Sequence, residues 1–128
     1  MSEQNPTNQL SVVHGHKYLS LTTFRKTGKG VTTPVWFVRR EGKLCVWTQR
    51  HSGKAKRLRN NARVTLAPCT MSGKILGSTV EGEARIVSSQ EKEKARQLFL
   101  KKYGWQMHFF AFLHRKHEHL VLEITADR

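Results

Sequence analysis

The feature that most constrains this fold is a succession of short β-strand patterns joined by turns of hairpin length. Residues 18–24 are rich in β-branched and aromatic side chains and run into the turn signal at residues 26–30. Residues 31–39 alternate between two faces, and residues 44–48 follow after a Glu-Gly-Lys turn. Three consecutive strands with such short connections predict antiparallel neighbours.

The next segment changes period from two to about three and a half. Ala55, Leu58 and Ala62 recur at helical spacing, which predicts a short amphipathic helix. Ser52 is a good N-cap, and Asn60-Asn61 is a plausible stop.

Further strands are predicted over residues 63–68, 79–87 and 120–124. Ser88 and Glu91 form a capping box ahead of a second helix with Ala95, Leu98, Phe99 and Tyr103 on one face, and Gly104 stands where a C-cap glycine belongs. Six short strands in a small protein favour a sheet that closes on itself, because closure removes exposed edges. We therefore predict a mainly β protein, a barrel with accessory helices.

Length and composition limit the alternatives. The 128 residues fit a single domain, residues 1–128, with residues 1–9 as a flexible leader. No apolar run is long enough for a membrane span, and the N-terminus lacks the features of a signal peptide, so we expect a cytoplasmic protein with no membrane partner. Cys45 and Cys69 are expected to be reduced and buried.

Charge points to an anionic partner. The 23 Lys and Arg residues against 9 Asp and Glu residues give a formal net charge of +14. No acidic residue lies between Glu41 and Glu81, a stretch that contains eight cations: Lys43, Arg50, Lys54, Lys56, Arg57, Arg59, Arg63 and Lys74. A nucleic-acid-binding barrel is an alternative, but Lys54 to Arg59 carries no aromatic side chain for base stacking, which disfavours nucleic acid as a partner.

The segment from Thr48 to Arg57 has the composition of a phosphate site. Lys54, Lys56 and Arg57 near the start of a helix oppose its dipole, and a bound anion would reverse that penalty. Helix N–H groups and the Ser52 hydroxyl would complete the site. A solvated basic helix face remains the alternative.

A proline interrupts the second strand. Pro34 cannot donate to a β-ladder, so something other than a strand is expected beside it, and a flat ring is one candidate. The hydroxyls of Thr32 and Thr33 and the neighbouring N–H groups could bond the polar edge of that ring, with Trp36 as an apolar wall. An edge strand with a core tryptophan is the alternative.

Other polar clusters carry weaker signals. His114, His117 and His119 are interspersed with Arg and Lys, which disfavours a metal and favours a solvated turn before the last strand. Glu81 and Glu83 lie in a strand pattern, as does Glu123, and nothing in the sequence pairs them as acid and base. We predict no metal site and name no catalytic residue.

Taken in order, several segments resemble one known family. They are residues 18–23, 33–37, 44–48, 52–61, 63–69 and 80–85. Their order and spacing are similar to those of the pyridoxamine 5'-phosphate oxidase-like split barrels, specifically the small deazaflavin-dependent class. The resemblance implies a six- to seven-stranded antiparallel split β-barrel with two or three accessory helices.

The resemblance also implies a homodimer with cofactor sites at the subunit interface. The ring would meet Thr33, Pro34, Val35 and Trp36, and the phosphate would meet the turn from Ser52 to Arg57. Coenzyme F420, whose phosphate and glutamate tail suit a basic protein, is the favoured cofactor, with FMN as the alternative. The expected reaction is hydride transfer between the reduced cofactor and an unidentified unsaturated or quinone-like small molecule. A non-catalytic carrier of a cofactor or a tetrapyrrole is a further alternative.

Overall fold

A computed structural model of the chain describes residues 10–113 and 118–127. A 3₁₀ turn, Ser11–Val13, precedes the first strand. The strands are β1 (Tyr18–Phe24), β2 (Gly30–Arg40), β3 (Lys43–Gln49), β4 (Arg63–Cys69), β5 (Val80–Ile86) and β6 (His119–Ala126). The helices are α1 (Gly53–Asn60), α2 (Ser89–Tyr103) and α3 (Trp105–Leu113).

The six strands close into an antiparallel barrel in the order β1-β2-β3-β6-β5-β4, with β4 pairing back to β1. The predicted fold class, closure and six strand positions are confirmed, with strand ends shifted by two residues at most. Gly28 adopts a φ of +91° in the β1–β2 turn, a conformation that glycine reaches without steric cost. None of the helices in the described residues is long and apolar enough to cross a membrane.

Strand alternation divides the buried side chains into two cores. Inside the barrel, every strand contributes apolar residues, and Leu10, Val13, Ala55 and Leu58 pack against them. Outside it, α2 and α3 cover one side of the barrel through Ala95, Phe99, Tyr103 and Met107, which contact Val38, Cys45 and Val121. Successive residues such as Phe37 and Val38 therefore belong to different cores, as the period of a strand requires.

Both predicted helix starts are confirmed. The Ser52 hydroxyl accepts a hydrogen bond from the Ala55 N–H at 3.2 Å, and Ser88 and Glu91 form the predicted capping box. Gly104 caps α2 with a φ of +57°. These local signals fix where α1 and α2 begin and where α2 ends.

Three details differ from the sequence interpretation. Helix α3 had no sequence signal, because it is apolar on all sides and shows no helical alternation of polar residues. Ala62 lies beyond the end of α1 and is exposed. His119 is not in a solvated turn but is the first residue of β6, where it is half-buried and stacks on Trp47. His114 and His117 lie outside the described residues.

A buried carboxylate on β6 links it to cations on both neighbouring strands, β3 and β5. Glu123 is 4% exposed, and its carboxylate accepts a hydrogen bond from Arg85 Nε at 2.9 Å and lies 3.6 Å from Lys43 Nζ. Arg85 also bonds Glu91 of the capping box. Glu81 and Glu83 are both paired with Arg63 at the surface. All three glutamates named in the sequence analysis thus have cationic partners in the structure.

Candidate cofactor cleft

Strands β2 and β3 separate halfway along their length. Their pairing runs only from Phe37 with Val46 to Arg40 with Lys43, whereas β2 continues back to Gly30 and β3 forward to Gln49. In this earlier half, β2 pairs with β1, so Pro34 lies opposite Ser20. The other edge of β2 around Pro34 has no strand beside it in the described chain, as the position of the proline predicted.

A cleft of about 430 Å³ lies between the separated parts of β2 and β3. Its walls come from β2, β3, the start of α1, the β4–β5 loop and α3, with Tyr18 of β1 at its edge. The lining residues are Tyr18, Pro34, Val35, Trp36, Trp47, Thr48, Gln49, Ser52, Lys54, Met71 and Phe110. The volume is within the range typical of small-molecule and cofactor sites.

The aromatic wall of the cleft is supported by side chains of α2 and α3. The Trp36 ring stacks on Tyr103 of α2, with centroids 4.5 Å apart and planes 10° from parallel, and Phe110 lies 5.2 Å from it. The Tyr103 hydroxyl accepts a hydrogen bond from the Phe37 N–H at 3.0 Å and donates one to the Lys17 carbonyl at 2.7 Å. Burial raises the pKa of Tyr103, so the phenol stays neutral and can donate. Trp36 is therefore fixed in orientation.

The opposite wall is polar and cationic. The Thr48 and Ser52 hydroxyl oxygens lie 3.3 Å apart, and Lys54 Nζ donates a hydrogen bond to Thr33 Oγ1 at 3.2 Å. Burial, and secondarily the charge of Arg57, lowers the pKa of Lys54. Lys54 forms no ion pair with a carboxylate in the residues that the structure describes. An anion placed in the cleft would relieve this electrostatic cost.

The structure separates the predicted site residues into two groups. Pro34, Val35, Trp36, Thr48, Ser52 and Lys54 line the cleft together, and Thr33 reaches it through Lys54. Thr32 is exposed and bonds Thr22 on β1. Lys56 and Arg57 line a different depression on the far side of α1. Arg57 belongs to the last turn of this eight-residue helix, but its guanidinium lies against Gly53 in the first turn, so its charge opposes the dipole as those of Lys54 and Lys56 do.

Five cleft residues were not among the individual site residues predicted from the sequence: Tyr18, Trp47, Gln49, Met71 and Phe110. Strand alternation could have found two of them, because Trp47 and Gln49 share the face of β3 that points away from the barrel interior. Phe110 lies on α3, which had no sequence signal, and Met71 lies in a loop.

The two cysteines and the possible metal-ligating side chains form no cluster in the described part of the chain. Among the described residues, no three His, Cys, Asp or Glu side chains come close enough to hold a metal ion. Cys45 and Cys69 are both buried and unpaired with each other. Burial, with a smaller contribution from Glu123, raises the pKa of Cys45 to about 11, so its thiol is protonated near neutral pH.

A six-stranded antiparallel barrel that opens between two of its strands defines a split-barrel protein. A family model described as pyridoxamine 5'-phosphate oxidase matches residues 7–128, and the chain belongs to this family. A comparison with curated protein sequences found no match.

Solved structures share the fold at low sequence identity. HutZ, the heme storage protein from Vibrio cholerae, is 14% identical, with 97% of this chain and 91% of that chain covered and a TM-score of 0.72. The conserved hypothetical protein Rv2991 from Mycobacterium tuberculosis is 21% identical, with coverages of 100% and 82% and a TM-score of 0.70. A FAD-binding protein from Mesorhizobium loti is 14% identical, with coverages of 94% and 87% and a TM-score of 0.66.

Proposed function

We propose that this protein is an oxidoreductase that binds coenzyme F420 in the cleft between β2 and β3 and transfers hydride between the reduced cofactor and a small unsaturated or quinone-like molecule. The observation that carries the proposal is the composition of the two cleft walls. One wall is flat and aromatic, and the other ends at a helix start with an uncompensated lysine.

The ring of the cofactor fits the Pro34–Trp36 side. The edge of β2 that faces away from β1 has backbone groups available there, as far as the described residues show, and these can bond the polar edge of a flat heterocycle. Trp36 supplies an apolar surface whose orientation is fixed by Tyr103. An enclosed, oriented ring is what stereospecific hydride transfer requires of the protein.

The phosphate fits the start of α1. Ser52 and Lys54 both line the cleft, and the positive end of the helix dipole lies between them. A phosphate near Lys54 would raise the pKa of its ammonium back toward the usual value, which couples binding to favourable electrostatics. Thr48 lies beside Ser52 and can provide a further hydroxyl.

Charge favours F420 over FMN. FMN carries only a phosphate, whereas F420 carries in addition a tail of glutamates. The formal net charge of +14 and the absence of acidic residues between Glu41 and Glu81 match the more negative cofactor. FMN remains the alternative cofactor for the same cleft, and the FAD-binding neighbour is consistent with a flavin-type ring.

A second candidate is non-catalytic binding of a tetrapyrrole. The fold likeness to a heme storage protein favours it. Tyr18 and Met71 line the cleft and are side-chain types that can ligate haem iron, but no histidine or cysteine is among the lining residues. A Soret shift on haemin addition, lost in Tyr18→Phe or Met71→Leu, would support this candidate.

We further propose that two copies of the chain pair through α3. Trp105, Phe109 and Leu113 on this helix are exposed by 73%, 55% and 56%, whereas Phe110 of the same helix lines the cleft. A surface helix that is apolar on its outer side is usually covered. A partner subunit on this face would lie beside the cleft mouth, as the family resemblance implies.

The experiment that tests the function uses the purified protein with each cofactor. Small molecules that copurify are identified by mass spectrometry, and F420 and FMN are then titrated separately with fluorescence as the readout. We expect F420 to copurify and to bind more tightly than FMN, and reduced F420 to be oxidised in the presence of a quinone. Tight FMN binding without any response to F420 would overturn the choice of cofactor.

A further inference from the structure

Two residues at the edge of the cleft have no part in the proposed binding of the cofactor. The ring contacts are proposed for the Pro34–Trp36 side of β2, and the phosphate contacts for the start of α1. Tyr18 of β1 and Met71 of the β4–β5 loop also line the cleft, but they come from elements that carry none of these contacts. They therefore border a part of the cleft that a second reactant can enter.

The strand pairing places Tyr18 and Met71 at the same end of the cleft. Tyr18 lies directly opposite Trp36 of β2 and, on its other side, opposite Cys69 of β4. Directly paired residues on neighbouring strands point to the same face of the sheet, so the Tyr18 side chain lies next to the indole of the aromatic wall. Met71 follows Cys69, the last residue of β4, by two positions. The order across this end of the cleft is thus Trp36, Tyr18 and Met71.

Met71 stands on a turn whose backbone is fixed by hydrogen bonds. The Thr70 N–H donates to the Lys74 carbonyl at 2.9 Å, and the Lys74 N–H donates to the Thr70 hydroxyl at 3.0 Å. The Gly73 N–H closes the turn on the Thr70 carbonyl at 2.9 Å. Although Met71 lines the cleft, it is 70% exposed. An apolar side chain held in water beside a cleft is available to an apolar ligand.

The hydroxyl of Tyr18 is also available to a ligand. It makes no hydrogen bond within the described residues, whereas the Tyr103 hydroxyl behind the same wall bonds Phe37 and Lys17. The other hydroxyls that line the cleft belong to Thr48 and Ser52, on the phosphate side, and contact each other. Tyr18 therefore provides a hydrogen-bond donor at the end of the cleft away from the proposed phosphate contacts.

We propose that Tyr18 and Met71 form an acceptor subsite, which takes a flat, largely apolar molecule with a carbonyl oxygen, such as a quinone. Met71 packs against the acceptor, and the Tyr18 hydroxyl donates a hydrogen bond to its oxygen. This inference rests on the proposed function of the cleft, to which it adds the two residues that select and orient the second reactant.

The hydrogen bond from Tyr18 has a chemical consequence for the acceptor. The quinone takes up a hydride from the reduced cofactor, which is thereby oxidised, and becomes a hydroquinone anion with the negative charge on oxygen. Tyr18 stabilises this charge and supplies the proton that completes the hydroquinone, and its phenolate then takes a proton from water. A donor placed where charge develops acts mainly in the transition state, so its loss lowers kcat more than it raises KM.

The test uses the full chain with F420 as cofactor and menadione, a small quinone, as acceptor. Oxidation of reduced F420 gives kcat and KM, and F420 fluorescence gives the affinity for the cofactor. Quenching of tryptophan fluorescence gives the affinity for menadione in protein saturated with oxidised F420. Tyr18→Phe is expected to lower kcat at least about tenfold, with both affinities changed by less than about threefold.

Met71→Ala tests the other half of the subsite. It is expected to raise the KM and the Kd for menadione about fivefold through lost apolar contact, with kcat and the F420 affinity within about twofold of the wild type. Met71→Leu keeps the apolar volume and should restore the wild-type values. Ile75→Ala is the matched control, because it shortens a half-exposed apolar side chain of the same loop that does not line the cleft.

The outcomes separate the acceptor subsite from the proposed function. If the wild type reduces menadione and Tyr18→Phe keeps the wild-type kcat, or Met71→Ala affects KM no more than Ile75→Ala does, the subsite is wrong while the proposed function stands. A loss of F420 affinity as large as the loss of kcat or of menadione affinity would assign the residues to the cofactor and overturn the subsite. If F420 binds but menadione neither binds nor is reduced, the acceptor class is wrong. If F420 itself does not bind, both proposals fall.

Discussion

The indole of Trp36 lies flat on the phenol ring of Tyr103, with 4.5 Å between the ring centroids. The two residues come from β2 and α2, so the wall of the cleft depends on how α2 packs on the outside of the barrel. A substitution that weakens the packing of α2 on the barrel is therefore expected to change the position of the cleft wall.

Tyr103→Phe keeps the ring stack but removes the hydroxyl that bonds Phe37 and Lys17. We expect a loss of about 1–3 kcal/mol in the free energy of unfolding, because the buried Phe37 N–H loses this acceptor. Urea denaturation measures it. Tyr18→Phe is the control, since the Tyr18 hydroxyl makes no hydrogen bond within the described residues, and an equal loss there would contradict the account.

Gly82 permits the close approach of β5 and β6. A Cβ at this position would lie 2.3 Å from the Thr125 carbonyl oxygen, so Gly82→Ala must displace backbone where β5 pairs with β6. We expect destabilisation of about 1–3 kcal/mol or more, measured by thermal or urea unfolding. Glu83→Ala on the same strand removes only a surface ion pair and should change stability by less than about 1 kcal/mol.

The lowered pKa of Lys102 predicts that the stability of the protein depends on pH. Its Nζ donates to the Phe37 carbonyl at 2.8 Å, and burial lowers its pKa to about 8. Between about pH 8 and the usual lysine pKa near 10.5, the unfolded chain binds more protons than the folded one, so stability rises with pH. Below that window the cost of partly desolvating the charged Nζ is fully present.

The measurement is urea denaturation of the wild type and Lys102→Met at pH 7 and pH 10. The stability of the wild type relative to the variant is expected to increase at the higher pH. Lys101→Met, at the exposed position next to it in the same helix, serves as the control for general charge effects. A relative stability that is the same at both pH values would show that Lys102 is not desolvated as described.

The exposed face of α3 predicts the oligomeric state. Phe109→Ser removes an exposed aromatic side chain from the face proposed to pair, and we expect it to convert a dimer into monomers in sedimentation velocity experiments. Ile75→Ser, at a half-exposed position in the β4–β5 loop, should leave the dimer intact. A wild-type protein that sediments as a monomer would remove the dimer proposal.

Much of the fold could be predicted because its determinants are local. The strand patterns, the Ser52 cap and the capping box of Ser88 and Glu91 each act within a few residues, and the structure confirms all of them. The contact between Trp36 and Tyr103 joins residues far apart in sequence, and α3 lacks any polar periodicity. Neither could be found by a local pattern.

Part of the cleft lining could also be predicted from local signals in the sequence. Pro34 and Lys54 were found because each is out of place in its element, a proline in a strand and a cation at a helix start. The assignment of Lys54 and Lys56 to one site neglected helix geometry. Residues two positions apart on a helix point about 200° apart, so the two lysines reach different depressions.

The most direct test of the central claim is the F420 affinity of Lys54→Gln compared with that of Arg59→Gln. Each variant removes one positive charge from α1, but only Lys54 lines the cleft and bonds Thr33. The account predicts at least about tenfold weaker binding for Lys54→Gln, since a charged hydrogen bond contributes about 1.5–3 kcal/mol, and a change of less than about twofold for Arg59→Gln. Equal affinities for the two variants would contradict it.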